Sequence, residues 1–207
     1  MIANIGMLSN IIFDVGGVII KYNNYTDYYL GYLAKKTGIS AKEIQRRVES
    51  RLLPLFYTAK ISKAEFYRRL AKSIGISERE VRWSDNFVER ARINKQTIST
   101  IKRLKHKYVI AYFSNVDYAV YVHMREMLKP YSALFDFKFT SCTLHIAKPK
   151  VNAFRIVLRK MGALASNTLF IDNDIKNVYG ARTAGIKSVL FKDNTKLLED
   201  LARLGVL

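Results

Sequence analysis

Short apolar segments that each lead into a polar side chain recur along this chain, and they constrain its fold more than any other feature. Three of them, rich in β-branched and aromatic residues, are predicted to be strands: residues 9–13 lead into Asp14, residues 108–113 into Ser114, and residues 168–171 into Asp172. Two further strands are predicted near residues 135–139 and at 188–191, and Lys148 lies in the loop that follows the first of these.

Amphipathic helical patterns alternate with these strands, at residues 96–107, 118–128 and 151–161, then up to Ala184 and again at the C-terminus. Alternating strands and helices predict an α/β fold, a parallel sheet with helices on both faces in a three-layer, Rossmann-like core. Ligands of such sheets bind beyond the carboxyl ends of the strands. We therefore expect the polar residues at the strand ends to form one site.

Residues 25–92 interrupt this alternation with a wholly helical pattern of three or four helices. Three Ser-x-x-Glu patterns mark helix starts, because the hydroxyl accepts from a free backbone N–H and the glutamate reaches back: they begin at Ser40, Ser62 and Ser77. We predict an all-helical cap inserted over residues 22–94, and an α/β core made of residues 1–21 and 95–207.

Four segments resemble, in order, the four motifs of the haloacid dehalogenase (HAD) superfamily. They are Ile-Ile-Phe-Asp14-Val-Gly-Gly-Val, Tyr-Phe-Ser114-Asn115, Lys148-Pro149, and Phe-Ile-Asp172-Asn173. One such motif is common, but four in order at strand ends, with a helical insertion after the first, are specific. The Asp-x-Gly start and residues 59–66 resemble the glucose-1-phosphatase-like branch of subfamily I, which carries a C1 helical cap. That branch is also similar to the N-terminal domain of soluble epoxide hydrolases.

The resemblance implies a magnesium-dependent phosphatase that acts on a small phosphorylated metabolite through an aspartyl-phosphate. Asp14 would attack the phosphorus, Ser114 would hold the transferring phosphoryl group, and Lys148 would neutralise developing charge. The implied magnesium ligands are Asp14, the backbone carbonyl of Gly16, Asp172 and Asn173. The expected substrate contacts are Asn115, Gly17 and Arg46.

Two positions depart from the motifs of this family. Gly16 stands where most of these phosphatases carry a second aspartate, which serves as the general acid. Asn173 stands where a second acid is usual, and its amide oxygen brings no negative charge to a metal. The alternative function is a catalytically degenerate protein of the same fold that binds phosphate, nucleic acid or an acidic partner. Displacement at carbon, as in dehalogenases, is disfavoured because the first motif ends in Gly-Val instead of Gly-Thr.

The chain is strongly basic, with 35 Lys+Arg against 17 Asp+Glu and a formal charge of +18. Such a field attracts phosphorylated metabolites and nucleic acids, but no nucleic-acid motif accompanies the charge, and the sequence leaves the oligomeric state open. No apolar run approaches the roughly 20 residues of a membrane span, and we recognise no signal peptide. We expect a cytoplasmic protein without a membrane partner.

Overall fold

This computed structural model describes residues 7–21, 25–82 and 91–207. Its strands form two sheets. The strands are β1 (Asn10–Phe13), β2 (Ile20–Lys21), β3 (Arg92–Ile93), β4 (Val109–Ser114), β5 (Phe137–Thr140), β6 (Thr168–Asp172) and β7 (Lys187–Leu190). The larger sheet has five strands in the order β5-β4-β1-β6-β7, and every pair in it is parallel. The predicted fold class, α/β with a parallel sheet, is confirmed.

The register of the central strand brings the strand ends together. Phe13 lies beside Tyr112 of β4 and beside Ile171 of β6. The next residue, Asp14, continues the ladder, because its N–H donates to the carbonyl oxygen of Ile171 at 2.8 Å. Since all three strands run in the same direction, their next polar residues emerge at one edge of the sheet.

Helices cover both faces of the sheet. After the second sheet the chain forms α6 (Lys95–Leu104), α7 (Tyr118–Leu128), α8 (Ser141–Leu144), α9 (Val151–Met161), α10 (Ile175–Thr183) and α11 (Asn194–Arg203). One apolar cluster joins α6, α7 and α11 to one face of the sheet, and a second cluster joins α9 and α10 to the other. The side chains of β1 alternate between the two clusters, with Ile11 and Phe13 in the first and Ile12 in the second.

The inserted segment is a helical unit with an apolar core of its own. It contains α1 (Tyr25–Thr37), α2 (Ala41–Arg47), α3 (Leu53–Tyr57), α4 (Lys63–Ile74) and α5 (Glu78–Val81), with a π-helical turn, Val48–Leu52, between α2 and α3. The predicted starts are confirmed, since the side chains of Ser40, Ser62 and Ser77 cap α2, α4 and α5. Leu33, Ile44 and Leu70 are almost fully buried within this unit.

The prediction that the segment is helical as far as Arg92 is wrong at its end. Arg92 and Ile93 form β3, which pairs antiparallel with Ile20 and Lys21 of β2. This ribbon closes the base of the insertion, and the N–H of Asn94 donates to the carbonyl oxygen of Ile19. Helical periodicity could not reveal a strand of two residues whose partner lies far away in the sequence. Residues 83–90 lie outside the described part of the chain, and the division into 22–94 and the flanking core stays a prediction.

The helices of the described residues include none that is both long enough and apolar enough to span a membrane.

Two helical glycines give a matched test of packing around the sheet edge. A Cβ on Gly180 of α10 would lie 2.2 Å from the carbonyl oxygen of Pro149, whereas a Cβ on Gly31 of α1 would meet nothing within 4 Å. We expect Gly180→Ala to lower the free energy of unfolding by about 1–3 kcal/mol, because the loop must move. Gly31→Ala should raise it by roughly 0.5–1 kcal/mol through helix propensity. Urea denaturation would measure both, and equal effects would contradict the close approach of α10 to Pro149.

Candidate active site

A buried lysine lies between two buried carboxylates at the carboxyl edge of the sheet. Nζ of Lys148 is 2.6 Å from Oδ1 of Asp14 and 2.7 Å from Oδ2 of Asp172. Asp14 follows β1, and Asp172 ends the neighbouring β6. The Lys148 side chain is 1% exposed, and its ammonium also lies over the rings of Phe113 and Phe170. One buried ammonium group thus pairs with two buried carboxylates and holds them at the same edge of the sheet.

Burial and charge shift the titration of this cluster in opposite directions. Burial raises the pKa of Asp14 to about 7, although the ammonium of Lys148 works against that rise and the carboxylate of Asp172 adds to it. Burial alone would lower the pKa of Lys148, but Asp14 and Asp172 together raise it above its usual value. Lys148 is therefore a permanent cation, while Asp14 can exchange its proton near neutral pH.

The second carboxylate is held by several donors. Oδ2 of Asp172 accepts from Lys148 and from Nδ2 of Asn177 at 3.1 Å, and its Oδ1 accepts from the N–H of Asp174 at 2.8 Å. Asn177 therefore helps to orient the carboxylate of Asp172. In this arrangement Asp172 positions the lysine, and its role as a metal ligand stays a prediction.

Asn115 fixes the loop that carries the lysine. Its Nδ2 donates to the carbonyl oxygen of Lys148 at 2.9 Å, and its Oδ1 accepts from the N–H of Lys148 at 3.0 Å. The side-chain amide thus satisfies both polar groups of one peptide residue, which ties the end of β4 to the loop before α9. The sequence suggested a substrate contact at Asn115, whereas the geometry makes it a residue that positions Lys148.

Ser114 offers a hydroxyl to the space above the sheet. The residue is 2% exposed and lines the cavity described below. Among the described residues, its hydroxyl has no hydrogen-bond partner, which is unusual for a buried polar group and suits a site that receives a ligand.

The glycine turn after Asp14 is shaped around Asn173. Gly17 has φ of 85°, and a Cβ on it would lie 2.4 Å from Nδ2 of Asn173. A side chain at position 17 would therefore be strained and would also displace the carboxamide of Asn173. This packing places the Asn173 amide beside Gly17, and Asp14, Gly16 and Asn173 all line the same cavity.

A cavity of about 710 Å³ opens above these residues. The described ionisable groups that line it are five carboxylates and three ammonium groups: Asp14, Glu49, Asp117, Asp172 and Asp174 against Lys148, Lys150 and Lys176. A chain with a formal charge of +18 thus has a cavity that is formally acidic in its described lining. A phosphate dianion entering it would need a further cation.

The donors beside the glycine turn fit a hard divalent cation. Within the described residues, no group of three or more His, Cys, Asp or Glu side chains is arranged to hold a metal. The available donors are instead the Asp14 carboxylate, the backbone carbonyl of Gly16 and the Asn173 carboxamide, all of which line the cavity. Magnesium prefers oxygen ligands, takes one or two carboxylates and keeps several waters, so this set suits it.

The helical insertion contacts the core on both sides of the cavity. Oε2 of Glu49, in the π-helical turn, lies 2.9 Å from Nζ of Lys176 at the start of α10. Nδ1 of His145, after α8, lies 3.2 Å from the carbonyl oxygen of Thr58. Neither contact could be found from sequence, because both partners of each pair belong to different elements with no shared pattern. His145 itself does not line the cavity.

Arg46 is the predicted substrate contact that the structure places elsewhere. It does not line the cavity, its side chain is 70% exposed, and its Nε is 2.7 Å from Oε2 of Glu43. Arg47 contacts the same carboxylate. These arginines stabilise the solvent face of α2, so substrate binding by Arg46 stays a prediction without support from this geometry.

Known proteins resemble this chain over most of its length. The sequence profile of the haloacid dehalogenase-like hydrolases matches residues 8–185. One relative, the sesquiterpene phosphatase astK of Aspergillus oryzae, is 26% identical over 197 residues, which cover 93% of this chain and 94% of that protein.

Solved structures share the fold at lower identity. A HAD-like family hydrolase from Porphyromonas gingivalis has a TM-score of 0.73 and 24% identity, with 96% of this chain and 98% of that chain covered. A HAD family enzyme from Bacteroides thetaiotaomicron, in complex with magnesium and inorganic phosphate, has a TM-score of 0.64 and 20% identity, with 89% and 94% covered.

Replacing Lys148 should destabilise the fold, because Asp14 and Asp172 would then be buried without a cation between them. We expect Lys148→Met to lower the free energy of unfolding by about 3–5 kcal/mol at roughly pH 8, because it leaves two unpaired buried charges. The pKa of Asp14 is raised in the folded protein, so this group favours folding most when it is protonated and loses that contribution as pH rises. The deficit should therefore narrow as pH falls toward about 5.

Lys150→Met is the matched control, since Lys150 is exposed and is not part of the cluster. It should change the free energy of unfolding by less than about 0.5 kcal/mol at every pH. Chemical denaturation across pH, with a chelator present, measures both variants. A deficit for Lys148→Met that is constant with pH would contradict the assigned charge state.

Proposed function

Since the chain belongs to the haloacid dehalogenase-like hydrolases, we propose that it is a magnesium-dependent hydrolase of small phosphomonoesters that works through Asp14. The observation that supports this proposal most directly is the position of Lys148 between Asp14 and Asp172 at the edge of the sheet. Lys148 holds a buried carboxylate beside the unpartnered hydroxyl of Ser114, at the floor of the cavity. A nucleophile, a fixed cation and a free donor are the groups that phosphoryl transfer needs around phosphorus.

In the first step the Asp14 carboxylate attacks the phosphorus in line with the ester oxygen. An Asp14–phosphorus bond forms while the bond from phosphorus to the alcohol oxygen breaks, and this oxygen takes up a proton from solvent water as the alcohol leaves. In the second step water attacks the acyl phosphate, which releases inorganic phosphate and restores the carboxylate. Lys148 keeps Asp14 in place and offsets negative charge throughout, and Ser114 donates to a phosphoryl oxygen.

The residues that would hold magnesium are Asp14, the carbonyl of Gly16 and Asn173. When bound, the ion supplies positive charge that offsets the acidic lining and polarises the phosphoryl oxygens. Asn173 contributes an oxygen without charge, so a weaker metal affinity than that of a second carboxylate is expected.

Position 16 offers no side chain that could protonate the leaving oxygen. General acids of this kind contribute typically about 10²–10⁴-fold to the rate. We therefore expect turnover to be slow for esters of poorly acidic alcohols, and faster for aryl esters whose leaving group needs no proton.

The printed names of similar proteins support the reaction class. The relative from Aspergillus oryzae is named a phosphatase, and the structure from Bacteroides thetaiotaomicron contains magnesium and inorganic phosphate. Both are consistent with phosphomonoester hydrolysis by this chain. A degenerate protein that binds phosphate without turnover is the alternative that Gly16 and Asn173 raise.

The decisive test is turnover of an aryl phosphate, with magnesium and with chelator. We expect magnesium-dependent release of phosphate that falls at least about a thousandfold in Asp14→Asn, because the amide is a poor nucleophile. Asp200→Asn, the same change at a residue of α11 that pairs with Lys196 and does not line the cavity, is the control and should keep full activity. Equal activity in Asp14→Asn and the unaltered protein, or no turnover at any pH, would refute the proposal.

A second test addresses the metal. We expect Asn173→Asp to lower the magnesium concentration for half-maximal activity by roughly tenfold, because it adds a charged ligand beside the glycine turn. Asn152→Asp, on the exposed side of α9, is the matched control and should leave that concentration unchanged. A magnesium titration of phosphate release measures both, and an unchanged midpoint in Asn173→Asp would remove Asn173 from the ligand set.

A further inference from the structure

Part of the cavity lining is apolar, and we call these residues the apolar wall. The helical insertion contributes Leu53, Pro54 and Tyr57 of α3, and the core contributes Val116, Val120 of α7 and Ala147. One short helix of the insertion thus adds three carbon-rich side chains to the cavity. A ligand group held against them would exchange water for apolar contacts.

Two polar side chains that the insertion adds to the cavity, those of Thr58 and Glu49, are already hydrogen-bonded within the protein. The hydroxyl of Thr58 donates to the carbonyl oxygen of Pro54 at 2.6 Å. Glu49 accepts from Nε2 of Gln45 and from Lys176. Sugar recognition needs several free donors and acceptors around the hydroxyl groups, and in the described part of the chain this wall has few to offer.

Two of the three lysines in the described lining are committed to carboxylates of the protein. Lys148 is held by both buried carboxylates, and Lys176 is paired with Glu49. Among the described lining residues, this leaves Lys150, an exposed residue at the N-terminus of α9, as the cation without such a partner. A second phosphate or carboxylate on the substrate would therefore find one uncommitted lysine in a lining where carboxylates are in excess.

The cavity is also much larger than a phosphate group needs. Its volume of about 710 Å³ lies within the range of roughly 300–1,000 Å³ typical of sites that enclose a drug-sized organic ligand. The space beyond the catalytic floor is therefore available to the alcohol part of the ester.

We propose that the substrate is the monophosphate of an apolar alcohol, and that Leu53, Pro54 and Tyr57 determine this specificity. The inference rests on the proposed phosphatase function and names its substrate class. It narrows the small phosphorylated metabolite that the sequence resemblance implied, because the apolar wall presents carbon where a sugar would need hydrogen-bond partners.

Binding of n-alkylphosphonates tests the substrate class without turnover. With magnesium present, titration calorimetry from ethyl- to octylphosphonate should show a Kd that falls by about two- to fourfold per added methylene until the cavity is filled. Glucose phosphonate should bind no better than ethylphosphonate. A Kd that does not change with chain length, or tighter binding of the sugar analogue, would overturn the inference.

Variants of α3 assign the specificity to the wall. Leu53→Gln should raise the Kd of octylphosphonate by about tenfold and leave that of ethylphosphonate unchanged. Leu55→Gln, the same change on a neighbouring position that does not line the cavity, should alter neither. If Leu53→Gln does not fold, Val120→Thr offers an isosteric change at a residue that the core adds to the apolar wall, with a smaller effect in the same direction. If Leu53→Gln raises the Kd of octylphosphonate and of ethylphosphonate by the same factor, the apolar wall does not contact the alkyl chain of the ligand.

Turnover separates this inference from the proposed function. Chain-length-dependent phosphonate binding with no hydrolysis of any ester would refute the phosphatase proposal and keep the ligand class. Hydrolysis of an aryl phosphate, combined with a higher kcat/KM for glucose 6-phosphate than for octyl phosphate, would keep the phosphatase and overturn the substrate class.

Discussion

The rest of the site depends on the ion pairs that the ammonium of Lys148 forms with Asp14 and Asp172. Two carboxylates from neighbouring strand ends, Asp14 and Asp172, could not share this buried edge without a cation between them. The loop of Lys148 is in turn held by the side chain of Asn115 at the end of a third strand. The ends of three strands of the parallel sheet are thus linked through one residue, by its ammonium to Asp14 and Asp172 and by its backbone to Asn115, so the site geometry depends on the register of the sheet.

The charge of the protein and the charge of its cavity have opposite signs. The chain carries +18 overall, but the described lining of the cavity has more carboxylates than ammonium groups. The outer field draws anions toward the molecule, whereas the cavity admits a phosphate dianion only together with a cation. Several surface arginines are occupied by local pairs, as Arg46 and Arg47 are with Glu43. The basic surface therefore concentrates anions near the protein, whereas the residues that line the cavity select the ligand.

The helical insertion supplies part of the cavity lining, including the apolar residues that we propose contact the alcohol part of the substrate. Its π-helical turn carries Glu49, which pairs with Lys176 of the core, and the next helix presents Leu53 and Tyr57 to the interior. Burial raises the pKa of Tyr57 to about 12, so its phenol stays neutral at physiological pH. The same fold can therefore keep its phosphoryl chemistry constant while the insertion changes the substrate.

The sequence by itself determined the five strands of the larger sheet and the serine caps of the insertion. It also determined which polar residues end or follow the strands. These features depend on local periodicity and on patterns a few residues long. It identified Asp14, Ser114, Lys148 and Asp172 as neighbours, since parallel strands end at one edge. Only the tertiary structure decided that Asn115 holds the lysine loop, that Arg46 faces solvent and that an apolar wall covers the cavity. Those outcomes depend on how distant segments pack, and no local pattern encodes the contacts between them.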